Sequence, residues 1–243
     1  MEEGPADLVG RTVFSLYPHQ TRFSVPAAAL TPVPDGVPPE RAVLAGTVET
    51  ALNALWDAPP RIGDRIAVVG AGMVGCCVAA LLADFPGLRV QIVDVDPARA
   101  AVAEVLGAGF AAPDRASGDR DLVFHASGTE TGLRRSLELL APEGTVADLS
   151  WYGDRQVSLP LGEFFHSRRL SLRSSQVGAL PPELRGRYTL ADRLALALDL
   201  LRDPRFDALI TDESDFDDLP RVMAGIAAGR LPGLCHRIRY SPH

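Results

Sequence analysis

The stretch Arg65-Ile-Ala-Val-Val-Gly-Ala-Gly-Met-Val-Gly75 constrains this chain more than any other. Gly70, Gly72 and Gly75 form a G-x-G-x-x-G loop between two different kinds of sequence. The apolar run Ile66 to Val69 precedes it and reads as a buried parallel strand. The small apolar residues from Met73 to Phe85 follow it and read as a helix. A second strand, Val90 to Val93, ends in Asp94, 19 positions after Gly75. That is close to the ~20-residue spacing of an acid that holds a ribose. Gly70 permits a tight turn, Gly72 lets a pyrophosphate approach the backbone, and Gly75 lets the helix pack on the sheet. The pyrophosphate would rest on the free N–H groups where Gly72, Met73, Val74 and Gly75 open the helix. Asp94 would accept hydrogen bonds from the adenosine ribose and repel a 2′-phosphate, so NAD is expected over NADP. An empty nucleotide fold and a methyltransferase with a similar strand-loop-helix are the alternatives at this point.

The rest of the chain alternates. Asp96-Pro97 starts a helix that Gly107 ends. Asp121 to His125 reads as a strand, Glu130 to Leu140 as a helix, and Thr145 to Leu149 and Leu170 to Arg173 as strands. This pattern predicts an α/β fold, a Rossmann-type doubly wound parallel sheet. Thr47 to Ala58 predicts a further helix before it. The first 46 residues hold two candidate strands, Thr12 to Leu16 and Arg22 to Val25, and a proline-rich stretch from Pro26 to Pro39. Two strands make no stable sheet alone, so partners are expected from elsewhere. In the tail, Thr189 to Arg202 and Asp217 to Ala228 read as helices and Leu234 to Tyr240 as a strand that could complete that sheet. The expected domains are therefore 1–46, 47–180 and 181–243.

Composition narrows the function. The net charge is −7 and no basic cluster stands out, so nucleic acid and anionic membranes are not expected partners. No apolar run reaches the length of a membrane span, and the acidic start lacks a secretory apolar core. Cys76, Cys77 and Cys235 make neither a disulfide framework nor a metal cluster. Cys76 and Cys77 read as packing residues, and a reducing cytoplasm fits.

Other polar residues carry weaker signals. His19, in Tyr-Pro-His-Gln20, reads either as a proton relay or substrate contact or as a turn histidine bonded to backbone; the second has more support. His125 ends a parallel strand beside Ser127, where ligand crevices form, so a cofactor-side role and simple packing both stay open. His166 and His236 have no informative neighbours. The acid-rich run Asp212 to Asp218 lacks the glycine and spacing of a calcium loop and is expected to be a solvated helix entry.

At this point the chain resembles the medium-chain dehydrogenases, in particular zinc-dependent alcohol dehydrogenase-like members. The similarity covers Val69-Gly-Ala-Gly-Met-Val-Gly75, Val93-Asp-Val-Asp-Pro97, Phe124-His-Ala-Ser-Gly128 and the tail from Leu209-Ile-Thr-Asp to Phe216. Leu16-Tyr-Pro-His-Gln20, Glu49-Thr-Ala-Leu-Asn53 and Ser174-Ser-Gln-Val-Gly178 look most like a subgroup some of whose members are named for bacteriochlorophyllide dehydrogenation.

The resemblance implies a GroES-like barrel, formed here by both chain ends, beside the nucleotide fold. It implies an oxidoreductase that moves a hydride between a nicotinamide and a small alcohol or ketone, with zinc as Lewis acid. It places Asp94 on the ribose, Arg99 beside the adenosine, and Ser127 and Gly128 near the nicotinamide ribose. Homodimers through the nucleotide domain are common among full relatives. The chain departs from the family in carrying no cysteine before Cys76 and no Gly-His-Glu motif. The sequence is thus expected to begin after the family's zinc-ligand stretch. Glu49 matches a position where some relatives place a metal ligand, but one ligand cannot hold zinc; its other reading is an acid at a helix N-terminus. Two further readings follow: a non-catalytic NAD-binding fragment, and a zinc-free reductase that polarises its carbonyl with Tyr17 or His19.

Overall fold

A computed structural model describes Met1 and residues 3–240. In chain order its main elements are β1 (Val13–Phe14), β2 (Thr31–Pro32), α1 (Pro39–Ala42), α2 (Ala45–Asp57), β3 (Arg65–Val69), α3 (Met73–Ala83) and β4 (Arg89–Val93). Then come α4 (Arg99–Val105), β5 (Gly109–Ala111), β6 (Arg120–His125), α5 (Glu130–Glu138), β7 (Leu140–Asp148) and β8 (Ser171–Ser174). The tail holds α6 (Leu190–Leu200), β9 (Ile210–Asp215), α7 (Leu219–Ala227) and β10 (Cys235–Arg239). The chain divides into two compact units, residues 47–193 and the two ends, 1–46 with 194–243.

The central unit is a six-stranded sheet in the order β5-β4-β3-β6-β7-β8, parallel throughout. The order reverses between β3 and β6, where the chain returns from the β5 edge, and this opens a crevice at their carboxyl ends. The alternation along β3 explains how both faces are covered. Ala67 and Val69 join a buried cluster with Leu133 and Leu137 of α5. Val68 faces the other way: its side chain would lie 3.3 Å from a Cβ on Gly75 of α3. The Rossmann-type expectation is met, with β5 added: three residues are too short a run to read from pattern alone.

A buried polar network ties the outer elements of this unit together. Glu49, Asn53 and Asp57 lie four residues apart and so share one face of α2. Arg193, only 2% exposed, donates to Glu49 Oε1 at 3.1 Å, to Asn53 Oδ1 and to the Val177 carbonyl. Asn53 Nδ2 donates to Asp57 Oδ2 at 2.8 Å, and the Ser175 hydroxyl donates to the same oxygen at 2.6 Å. The two sequence motifs around Glu49 and Ser175 therefore meet in space.

The terminal unit holds two small sheets. β1 pairs antiparallel with β2, not with Arg22 to Val25, which forms no strand. Pro32 cannot donate a ladder hydrogen bond and is suited to such an edge. β10 pairs in parallel with β9 and joins no sheet with β1. The acid-rich run is thus a strand as far as Asp215, and only Phe216 to Asp218 form the expected helix entry, leading into α7. Its charge is matched across the pair by Arg237 on Glu213 and by Arg239 on Asp215 at 2.8 Å. Arg41 is buried in this unit, where Nε and Nη2 each reach the Asp207 carboxylate at 2.7 Å and Nη1 reaches the Leu201 carbonyl at 3.1 Å. Among the described residues no helix is long and apolar enough to cross a membrane.

Arg193→Ala should leave the Glu49 carboxylate buried and unpaired, at a cost of about 3–5 kcal/mol. Urea unfolding measures it. An unchanged midpoint would mean that the network contributes nothing net.

Candidate functional site

The glycine loop builds the site from its backbone. Gly70 has φ of 106°, which favours glycine, and a Cβ there would lie 2.7 Å from the Ser127 nitrogen. A Cβ on Gly75 would lie 1.9 Å from the Gly70 carbonyl oxygen. Both residues are therefore glycine because backbone packs on backbone. Gly72 differs. A Cβ on it would meet no protein atom within 4 Å, so the space in front of it is open. Gly72 also begins α3 without a side-chain cap, which leaves the first amides of that helix for another acceptor.

Asp94 ends β4 beside this loop. Its Oδ2 accepts the Ala71 N–H at 2.6 Å and its Oδ1 accepts the Asp96 N–H at 2.9 Å. A cavity of about 530 Å³ runs past these groups. Gly70, Gly72, Asp94, Ser127, Thr129 and Arg135 are among its lining residues. Its volume suits a small-molecule ligand. A second cavity, of about 540 Å³, lies where β3 and β6 begin and is lined by charged side chains such as Arg61, Asp64 and Asp121. Open parallel sheets bind ligands at the other end of their strands, so the Asp94 cavity is the candidate site.

At the carboxyl ends of β6 and β7 sits a polar cluster. His125 and Asp148 are register partners on adjacent strands, and His125 Nδ1 lies 2.8 Å from Asp148 Oδ1. On the other side of the ring, Nε2 lies 2.7 Å from Ser127 Oγ. His125 is fully buried. Burial alone would raise the Asp148 pKa. Hydrogen bonds from His125, the Ser150 N–H and Tyr152 outweigh it and hold the carboxyl below its ordinary range. Burial and the Asp148 charge push the Tyr152 hydroxyl up to about 12.

The residues singled out from the sequence fall into two groups. Gly70, Gly72, Asp94 and Ser127 line one cavity. Met73, Val74 and Gly75 form the first turn of α3 behind it, and Gly128 follows Ser127 with φ of 65°. Arg99 opens α4 and pairs with Asp96 at 3.3 Å. Thr129 and Arg135 line the cavity but escaped the sequence reading. Thr131 and Arg135 are four apart on α5 and share a face, a signal that means something only once α5 is known to border the site.

The second group does not line that cavity. Glu49 is held by Arg193, and among the described residues no group of three or more His, Cys, Asp or Glu could hold a metal. The residues present do not fit a zinc ion. In the terminal unit His19 Nδ1 meets the Tyr240 hydroxyl at 2.6 Å, a side-chain partner in place of the expected backbone one. Cys76 and Cys77 are buried, and burial pushes the Cys76 thiol up to about 12, which suits packing and not redox chemistry.

No family model matches the chain. An alcohol dehydrogenase of Cupriavidus necator is 29% identical over 150 residues, which cover 56% of this chain and 41% of that protein. An uncharacterised zinc-type alcohol dehydrogenase-like protein of Haemophilus influenzae is 29% identical over 138 residues, 52% of this chain and 40% of that protein. The chain therefore spans less than half of these curated relatives. Among solved structures, L-idonate 5-dehydrogenase of Escherichia coli superposes with a TM-score of 0.73 at 18% identity, over 88% of this chain and 61% of that one. An Escherichia coli alcohol dehydrogenase complexed with NADH superposes at 0.69, with 18% identity over 84% of this chain and 60% of that one. A Sinorhizobium meliloti dehydrogenase bound to NADP also superposes at 0.69, with 18% identity over 89% and 63%.

Because Asp148 has a lowered pKa in the fold, it contributes stability above the unfolded carboxylate's value of about 4, and that contribution fades as pH falls towards the folded value. Asp148→Asn should therefore flatten part of the acid-side loss of stability below about pH 5. Denaturant midpoints across that range test it; parallel curves for the two proteins would contradict it.

Proposed function

We propose that the chain belongs with the medium-chain, zinc-type alcohol dehydrogenase-like proteins it is similar to, that its central unit binds a nicotinamide dinucleotide and that the chain is an alcohol dehydrogenase-like oxidoreductase. The pyrophosphate rests on the amides of Gly72, Met73, Val74 and Gly75, where the helix dipole favours it. Asp94 takes the adenosine ribose and Arg99 flanks the adenosine. Ser127 and Gly128 take the nicotinamide end. Bound there, the oxidised cofactor would accept a hydride from the carbinol carbon of a small alcohol, and the reduced cofactor would give one to the carbonyl carbon of a ketone. The open space in front of Gly72, beside Asp94, carries this reading.

NAD is preferred over NADP in this proposal. A 2′-phosphate would meet the Asp94 carboxylate, which is already fixed towards the loop by the Ala71 N–H. Glu49 is engaged by Arg193 and is not offered to a zinc ion. The terminal unit is read as the GroES-like portion and the molecule as a cytoplasmic homodimer. The GroES-like portion and the dimer follow from the family resemblance, and the cytoplasm from three cysteines that form no disulfide.

NADH titration of the whole chain should give a saturable change in nicotinamide fluorescence. Asp94→Ala should cut the preference for NADH over NADPH by about tenfold or more, the scale set by losing one charged contact. A fluorescence change that never saturates would refute cofactor binding. A preserved ratio in the variant would remove Asp94 from the ribose site.

A further inference from the structure

Four side chains form a continuous hydrogen-bonded line from the candidate cavity into the protein. Thr129 Oγ1 lies 2.9 Å from Ser127 Oγ, Ser127 Oγ lies 2.7 Å from His125 Nε2, and His125 Nδ1 lies 2.8 Å from Asp148 Oδ1. Thr129 and Ser127 line the cavity, while His125 has no exposure.

The direction of each bond follows by elimination. The Asp148 carboxylate only accepts, so Nδ1 carries the hydrogen of the neutral ring and Nε2 is bare. Ser127 must then donate to Nε2. Thr129 Oγ1 accepts the Gly132 N–H at 3.0 Å and is left to donate to Ser127. Every donor in the line points inward. The line also occupies space that only a glycine leaves: a Cβ on Gly132 would lie 2.1 Å from Ser127 Oγ and 3.0 Å from His125 Nε2.

We propose that His125 is a proton store for the nicotinamide site, neutral while the oxidised cofactor is bound and protonated once the reduced cofactor is. Thr129 and Ser127 are its path to the cavity. The proposal rests on the nucleotide reading above. An oxidised nicotinamide ring is positively charged and a reduced one is neutral. A positive ring disfavours a second positive charge nearby, and reduction removes that repulsion.

The step balances. An alcohol gives its carbon-bound hydrogen and the electron pair to NAD as hydride. Its hydroxyl proton passes to Thr129, whose own hydrogen moves to Ser127, whose hydrogen moves to His125 Nε2. The products are the carbonyl compound, NADH and an imidazolium paired with Asp148. Reduction of a carbonyl runs the same line outward. His125 is also faced by the Ser150 and Tyr152 hydroxyls, 3.1 Å and 3.3 Å from Nδ1. Tyr152 stays protonated because its pKa is pushed up to about 12. Arg155, on the same loop, donates to the Gly128 carbonyl at 3.0 Å.

The test is a pair of binding curves, NADH and NAD on the whole chain, at steps from about pH 8 to pH 5.5, where imidazoles charge. NADH is followed by its fluorescence and NAD by competition. The ratio of the NAD Kd to the NADH Kd should rise about three- to tenfold as pH falls, within the tenfold per pH unit that one linked proton permits. His125→Gln should abolish the rise. If that variant does not fold, the unaltered protein decides: mixed with NADH in weak buffer with an indicator dye, it should take up protons. A pH-independent ratio without proton uptake overturns the proton store and leaves nucleotide binding standing. A rise that persists in folded His125→Gln assigns the proton elsewhere and also overturns it. Absence of saturable NADH binding sinks the nucleotide reading and this inference with it.

Discussion

The carboxyl end of the central sheet depends on one close approach. The first turn of α3 comes so near the exit of β3 that Gly75 has no room for a side chain against the Gly70 carbonyl oxygen. Gly70 is in turn pressed against the backbone of Ala126 and Ser127 at the exit of β6. The Ala71 N–H then falls to Asp94 at the exit of β4. Two glycines thus bring three strand ends and the amide end of a helix to one place. A larger residue at either position would force backbone to move, because backbone atoms and not flexible side-chain tips fill the space.

Charges buried elsewhere in that unit do a different job. Arg193 sits among Glu49, Asn53 and the Val177 carbonyl, and no buried side-chain polar atom among the described residues lacks a partner. Such a network sets the mutual position of α2 and the segment after β8, and it neutralises the carboxylate that could otherwise seek a metal. The His125–Asp148 pair is built by strand register, so its geometry is as rigid as the sheet. The same kinds of residues therefore serve packing in one place and point at a ligand cavity in the other. Only their position relative to the strand ends separates the two.

The sequence made the loop legible because three glycines, a strand, a helix and Asp94 stand at spacings that few other structures need. The alternation of apolar runs made the parallel sheet legible for the same reason. β9 was not legible, because its acids suggest a solvated helix entry until Arg237 and Arg239 of β10 are known to lie alongside. The second strand of the terminal unit was misplaced: Thr31–Pro32, which pairs with β1, lies within a proline-rich run, whereas Arg22 to Val25 has better strand composition but forms no strand. His125 was left open between packing and function. Asp148 and Thr129, which extend its hydrogen-bonded line at either end, become neighbours only through the β6–β7 register and the turn into α5.

The most direct measurement of the central claim is amide hydrogen exchange of the whole chain with and without NADH. The account predicts slowed exchange at residues 70–76, at 94–96 and at 126–132, with the rest of the chain little changed. Unaltered exchange in all three segments, or protection confined to the terminal unit, would contradict it.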